Sequence, residues 1–395
     1  MSRVNSLQTS SAQSVAVSDG PRHLAEHTTA RVGGPAGDWI VAETEEQALE
    51  VLAAHPLPDD ETRAAGEDSL LVLGGGSNLL VSDAGFGGTV LQLAFDGIAE
   101  EADEASSDDA GSRLVRIAAG HRWDDVVAWT VRHRLAGLEA LSGIPGAAGA
   151  TPVQNVGAYG AEIAQTLVDL RAWDRAAGEL VTLDAEALAF GYRESVLKRT
   201  TLHGSPRYVV LSLRLRLAHD GEDTLSAPIR YAELARTLGL DPALEEDRRR
   251  APLDQVREQV LALRASKGMV LDADDHDTWS TGSFFTNPIV PADMAAGLPE
   301  EAPRFPLDDW RVKLSAAWLI DHAGCGRGFG AELTDGRASL STKHTLAITN
   351  RGPAGTGDLL AVAGAVREKV HARFGLDLHP EPVIIGAAVA APGSR

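Results

Sequence analysis

The stretch Leu141-Ser142-Gly143-Ile144-Pro145-Gly146-Ala147-Ala148-Gly149-Ala150-Thr151-Pro152-Val153-Gln154-Asn155-Val156-Gly157-Ala158-Tyr159-Gly160 holds five glycines and two prolines. It is poorly suited to an ordinary helix or strand, because glycine loses too much entropy there and proline removes a donor. What it can do is bring backbone N–H groups close to a large planar or phosphorylated ligand. A second small-residue turn, Gly74-Gly75-Gly76-Ser77-Asn78, lies upstream. Two such cradles point to a ligand with two ends, such as a dinucleotide.

Around these turns the periodicity alternates between helix and strand. Thr44 is expected to cap a helix over 45–54, with Gln47 completing a capping box. Ser69 to Leu73, Leu79 to Ser82 and Thr89 to Phe95 read as strands, the last two separated by Asp83-Ala84-Gly85-Phe86-Gly87-Gly88. Trp123, Val126, Val127, Thr130 and Val131 share one helical face, with Gly137 just past its end. Thr166 to Trp173 and Tyr208 to Leu217 alternate as strands, and Leu253, Val256, Val260 and Leu263 form a helical stripe opened by Pro252. Leu359, Val362, Val366 and Val370 mark a last helix stopped by Gly375. Glu100 to Ser112 reads as a solvated hairpin loop, Asp272 to Thr281 as an interdomain connection, and residues 1–20 as a disordered tail.

The 395 residues carry 36 basic and 56 acidic side chains, a formal charge of -20. That argues against non-specific binding of nucleic acid or of an anionic membrane. An anionic substrate therefore needs a local basic cluster. A single cysteine, Cys325, excludes an internal disulfide and a cysteine-rich metal site. The twelve histidines show no paired ligand spacing, so no metal is expected. No apolar run has membrane-spanning length and the N-terminus is polar, which fits a cytoplasmic protein.

Gly74-x-Gly76-x-x-Leu79 is a poor dinucleotide fingerprint of the Rossmann type. Leu79 replaces the third glycine, and a strand pattern follows where a helix is required. Neither a phosphate-binding P-loop nor a Gly-x-Ser-x-Gly elbow is present. Taken singly, Ser283 reads as a turn residue, Arg193–Glu194 as a surface pair, Glu381 as a solvated carboxylate, and Lys267 and Lys313 as surface lysines. Of the adjacent Phe284 and Phe285, one core and one surface contact are expected.

Seven segments in order change that reading: Thr28–Gly34, Leu73–Val81, Gly143–Gly160, Gly191-Tyr192-Arg193-Glu194-Ser195, Gly282-Ser283-Phe284-Phe285-Thr286-Asn287-Pro288, Ala317-Trp318-Leu319-Ile320-Asp321 and Glu381-Pro382-Val383-Ile384-Ile385-Gly386. Together the chain resembles bacterial UDP-N-acetylenolpyruvoylglucosamine reductases from about Thr28 to Gly386. The resemblance implies an α+β fold, with a two-subdomain FAD-binding unit of the vanillyl-alcohol-oxidase (PCMH) type and a C-terminal α+β substrate domain. It divides the chain into 21–90 with 376–395, 91–271, and a substrate-covering 272–375. Departures from the family are the polar tail, the Glu100–Ser112 insertion and the glycine-rich Gly324–Gly330.

The chemistry implied is an NADPH-dependent reduction in which FAD takes hydride and passes it to C3 of the enolpyruvyl ether of UDP-N-acetylglucosamine enolpyruvate. Negative charge then spreads into the substrate carboxylate, and a proton must reach C2. By family correspondence Arg193 holds the carboxylate, Ser283 donates the proton and Glu381 is the third catalytic group, with a raised pKa expected if buried. FAD contacts are expected from Gly74, Gly75, Gly76, Ser77, Asn78 and Leu79, and from Gly143, Ile144, Pro145, Gly146, Gly149, Ala150, Asn155, Gly157, Ala158 and Tyr159. Substrate contacts are expected from Gln154, Tyr159, Tyr231, Lys267, Asn287 and Lys313. The other expectations are a monomer with no nucleic-acid or membrane partner. Two rivals stay open: an FAD-linked oxidase or dehydrogenase of a 2-hydroxy acid with the same cofactor fold, and a flavin or nucleotide-sugar binding protein without turnover.

Overall fold

In a computed structural model, residues 22–102, 111–241 and 243–393 are described; the expected tail over 1–20 and the tip of the hairpin loop, 103–110, lie outside them. Strand β1 (Ala36–Ala42) leads into α1 (Glu45–Ala54), where Thr44 and Gln47 form the capping box in both directions. Then come β2 (Leu70–Leu73), β3 (Leu79–Val81) and β4 (Phe86–Leu93). The strands β1, β4 and β2 form a parallel sheet in that order, with α1 as the crossover that parallel pairing requires.

Strand β4 starts earlier than the sequence suggests, running through Gly87 and Gly88. The reason is steric: a Cβ on Gly88 would sit 2.3 Å from Ser69 O, and one on Gly37 2.5 Å from Gly87 O. These glycines let three parallel backbones close up, so they belong to the sheet and not to a separating turn. The same strand also runs through residue 90, where the sequence reading divides the chain.

The second sheet is antiparallel: β5 (Ile98–Glu101), β6 (Ser112–Ala118), β7 (Leu167–Asp174), β8 (Glu179–Asp184) and β9 (Tyr208–Ala218) pair in the order β8-β7-β9-β6-β5. Helix α2 (Trp123–Arg132) buries Trp123, Val126 and Val127 in the core shared with this sheet, and also buries Thr130 and Val131, the latter against Ala136 and Leu253. Helix α3 (Leu253–Ser266) buries Leu253, Val256 and Val260 but leaves Leu263 half-buried, and Pro252 is its N-cap instead of its first residue.

A third body is packed around α4 (Ala316–His322) and the 19-residue α5 (Thr356–Phe374), which ends where Gly375 turns left-handed at φ 66°. Phe284 and Phe285 are both buried in this core, 1% and 2% exposed, where one surface contact was expected. Their segment lies between two others: Phe284 N donates to Leu346 O at 2.7 Å, and Glu381 N donates to Phe284 O at 2.8 Å. Gly330 (φ 93°) settles directly on Val362 of α5, which gives the glycine-rich 324–330 loop its close packing.

Asp272 to Thr281 is no loose linker. Asp277 is buried, accepting from Thr342 N (2.8 Å) and pairing with Arg351 (2.7 Å), while Ser280 O accepts from the Thr29 hydroxyl at 2.7 Å. Its polarity serves inward contacts. Finally β10 (Val383–Ile385) returns to pair in parallel with β3, Val383 opposite Leu79.

Candidate active site

The two glycine turns meet back to back. A Cβ on Gly75 would lie 2.5 Å from Gly146 Cα, one on Gly146 2.7 Å from Ser77 Oγ, and one on Gly76 (φ 58°) 2.0 Å from His27 O. No residue but glycine fits these approaches. The N–H groups of Gly75, Gly76, Ser77 and Asn78 have no acceptor among the described residues. A row of unused donors in a left-handed turn is an anion-binding concavity. Both turns line one cavity of about 760 Å³, within the range of ligand pockets.

The same cavity is lined by Arg193, Ser283 and Glu381, carried by three distant segments. Arg193 sits at φ 55°, an uncommon place for a non-glycine residue. Its Nη1 donates to Asn155 O (3.3 Å), its Nη2 to Gly157 O (2.7 Å), and its Nε lies 3.4 Å from Glu381 Oε1. Each terminal nitrogen keeps a second N–H, so the fork is anchored to the loop and still has donors to offer. Glu381 Oε1 also accepts from Gln154 Nε2 at 3.1 Å, and Gln154 Oε1 accepts from Asn78 Nδ2 at 3.1 Å. Burial raises the Glu381 pKa against the opposing pull of Arg193, Lys198 and Gln154. The Ser283 hydroxyl and Glu381 Oε2 have no protein partner among the described residues.

The expected residues fall into three groups. Gly74, Gly75, Gly76, Ser77, Asn78, Leu79, Ile144, Pro145, Gly146, Gly149, Ala150, Gln154, Gly157 and Asn287 line the cavity with the three above. Gly143, Asn155, Ala158 and Tyr159 do not. Gly143 gives its N–H to Asp124 Oδ1 at 2.6 Å, and Ala158 is taken up in a two-residue pairing with Ala161. The Asn155 side chain is taken up by neighbouring segments, donating to Glu162 and Gly191 O and accepting from Ala164 N. Tyr231, Lys267 and Lys313 form the third group and lie outside that wall. The Tyr159 and Tyr231 rings meet edge to face at 5.4 Å, and Lys267 Nζ pairs with Glu233 at 2.7 Å. Lys313 Nζ lies 4.7 Å from the centre of the Tyr192 ring, a cation–π arrangement. Asn287 Oδ1 accepts from Ala316 N at 2.9 Å, which ties it to the start of α4.

Three residues with no assigned role in the sequence belong to the picture. Tyr192 lines the cavity with its hydroxyl accepting from Asn287 N at 3.4 Å, and burial raises its pKa. His344 is pushed down to about 4, by burial first and then by the charges of Lys267 and Arg327. Arg264 lines the cavity with its Nε unpartnered. Tyr192 was readable from its place beside Arg193; the other two carry no local signal.

The chain is 50% identical over 378 residues to the UDP-N-acetylenolpyruvoylglucosamine reductase of Saccharopolyspora erythraea, covering 93% of this chain and 95% of the relative. It is 51% identical over 373 residues to that of Nocardia farcinica, covering 92% and 88%. The chain belongs to the UDP-N-acetylenolpyruvoylglucosamine reductase family. Within that family, residues 274–385 match the model of the reductase C-terminal domain, and residues 62–184 match that of an FAD binding domain. The fold is also that of the crystal structure of the reductase from Thermus caldophilus, with TM-score 0.58 and 24% identity over 94% of this chain and 99% of that one. The α+β architecture with an FAD-binding unit and a reductase C-terminal domain thus stands, and the cofactor of the family unit is FAD. The residues present fit that group: the glycine turns and their unused N–H groups form a seat that a Cβ would fill. Among the described residues, no helix is long and apolar enough to cross a membrane.

Proposed function

We propose that this chain reduces the enolpyruvyl ether of UDP-N-acetylglucosamine enolpyruvate to UDP-N-acetylmuramate with NADPH, in peptidoglycan precursor synthesis. The observation that carries this is the convergence of Arg193, Ser283 and Glu381 on the one cavity that the glycine seat also lines. Bound FAD supplies the hydride carrier between NADPH and substrate. In this reading, residues 21–90 with 376–395 and 91–271 seat the cofactor, and 272–375 cover the substrate. Action as a monomer in the cytoplasm, without nucleic-acid or membrane partners, accords with a soluble nucleotide sugar as substrate.

The remaining N–H groups of Arg193 hold the substrate carboxylate as charge develops on it, and a guanidinium does so without losing its own charge. The unpartnered Ser283 hydroxyl donates the proton to C2. Glu381, whose pKa burial raises, adds a neutral donor through Oε2 in its protonated form, while Gln154 and Arg193 fix Oε1. Tyr231 and Lys267 receive the diphosphate at the mouth, with Tyr159, Asn287 and Lys313 as supports. Lys267 must give up part of its pairing with Glu233 to do so.

An anaerobic titration tests this. NADPH is expected to bleach the yellow of the purified protein, and the enolpyruvyl UDP-sugar to restore it. Reduction by lactate or glycolate but not by NADPH would instead establish a 2-hydroxy-acid oxidase.

Glu381 adds a pH signature. Its folded pKa lies above the ordinary 4.5, so the folded state binds this proton more tightly than the unfolded one. The stability it lends is present at low pH and is lost as pH rises from 4.5 through the raised value. Glu381→Gln cannot ionise. Its melting temperature relative to the parent should therefore be higher at about pH 8 than at about pH 4.5, while turnover falls. An equal difference at both pH values would remove the raised pKa from the account.

A further inference from the structure

Arg264 stands in the last turn of α3 and borders the cavity at the Gly143 end. Its Nη2 donates to Met269 O at 2.8 Å, and its Nε is closed off from water with no partner among the described residues. A Cβ on Gly143 would come within 3.4 Å of that Nε, so the glycine and the arginine lie against each other. Among the described residues, no carboxylate is paired with it. Asp124, whose field reaches Arg264, spends both oxygens on Arg257 (2.7 and 2.8 Å) and one of them also on Gly143 N.

A guanidinium with an orphaned donor and no counter-charge is costly to bury, because water is removed and nothing replaces it. Burial acts on it in that direction, lowering its pKa, yet a guanidinium stays charged. Nε itself is sealed off, but Nη1, which has no partner among the described residues and is not sealed, is the end of the fork that an anion arriving in the cavity can meet.

We propose that Arg264 binds a phosphate of the dinucleotide cofactor, supplying the cation that complements the unused N–H groups of Gly75 to Asn78. The turn that Arg264 backs, 143–146, is the one that touches Gly75. The cofactor diphosphate is favoured over the substrate diphosphate because another cation, Lys267, is already assigned to the latter with Tyr231. This rests on the reading of the cavity as an FAD seat.

The test uses full-length apoprotein, stripped of flavin and titrated with FAD by fluorescence quenching. Arg264→Met should raise the Kd for FAD at least about tenfold, and Arg264→Lys, which keeps the charge but not the planar fork, should fall between. The melting temperature of Arg264→Met apoprotein should equal or exceed that of the parent, because an unpaired buried cation is gone. UDP, titrated by calorimetry, should bind all three proteins alike. Parental FAD affinity in Arg264→Met overturns the proposal. So does intact FAD affinity with weakened UDP binding, which would move Arg264 to the substrate. If Arg264→Met does not fold, Arg264→Lys decides, and a Kd equal to the parent's counts against the assignment. A parent that takes up no FAD defeats the function proposed above and this assignment with it, whereas a loss confined to the comparison of variants defeats this one alone.

Discussion

Ser283→Ala is expected to stay yellow, to be bleached by NADPH at close to the parental rate, and to lose turnover with the enolpyruvyl UDP-sugar by on the order of a thousandfold, as for a positioned general acid. The separation follows from the layout. Ser283 lines the cavity, and its hydroxyl has no protein partner among the described residues to be missed when it goes. Its backbone is held by the flanking pairings, Phe284 N to Leu346 O and Glu381 N to Phe284 O, so the alanine variant should fold normally. Stopped-flow bleaching by NADPH, set beside steady-state turnover, checks both halves. Undiminished turnover would dismiss Ser283 as the donor.

Arg193→Lys should cost roughly a hundredfold or more in turnover and also raise the KM for the UDP-sugar, the loss of one well-placed charge-stabilising donor being of that order. The substitution keeps the charge, so a point-charge role would survive it. What it removes is reach: one ammonium cannot donate at once to Asn155 O, to Gly157 O and toward Glu381. The two loop carbonyls would lose their donors, and the substrate carboxylate its planar partner. The KM effect separates this variant from Ser283→Ala, because the carboxylate is already present in the ground state. A kcat and KM close to the parental values would rule out anchoring through the guanidinium fork.

What could be read from the sequence was what is encoded locally. Thr44 and Gln47, the Trp123–Val131 stripe and the stop at Gly375 each depend on residues a few places apart, and each forms as read. The strand after Gly76 was legible for the same reason, and it ruled out a Rossmann turn. Contacts across long separations were not. Asp272 to Thr281 has the composition of a linker, but its Asp277 carboxylate faces Thr342 and Arg351 and its Ser280 carbonyl accepts from Thr29. Gly87 and Gly88 resemble turn residues until two neighbouring backbones are laid beside them. Asn155 sits in the most informative loop of the chain, yet its amide is consumed by neighbouring segments. Arg264 lies on a helix rich in charged residues and reads as solvated. Only its missing partner, a property of the folded chain, sets it apart.

The pairing of β10 with β3 also bears on how the molecule comes into being. Asn78 Nδ2 donates to Glu381 O across 303 residues of chain, and Val383 N donates to Asn78 O beside it. During translation the first glycine turn emerges 303 residues ahead of the carboxyl that faces it and of the strand beside that carboxyl. The nascent protein must therefore wait with an unpaired sheet edge, open to chaperones, and can mature into its cofactor-competent form only once that strand has followed.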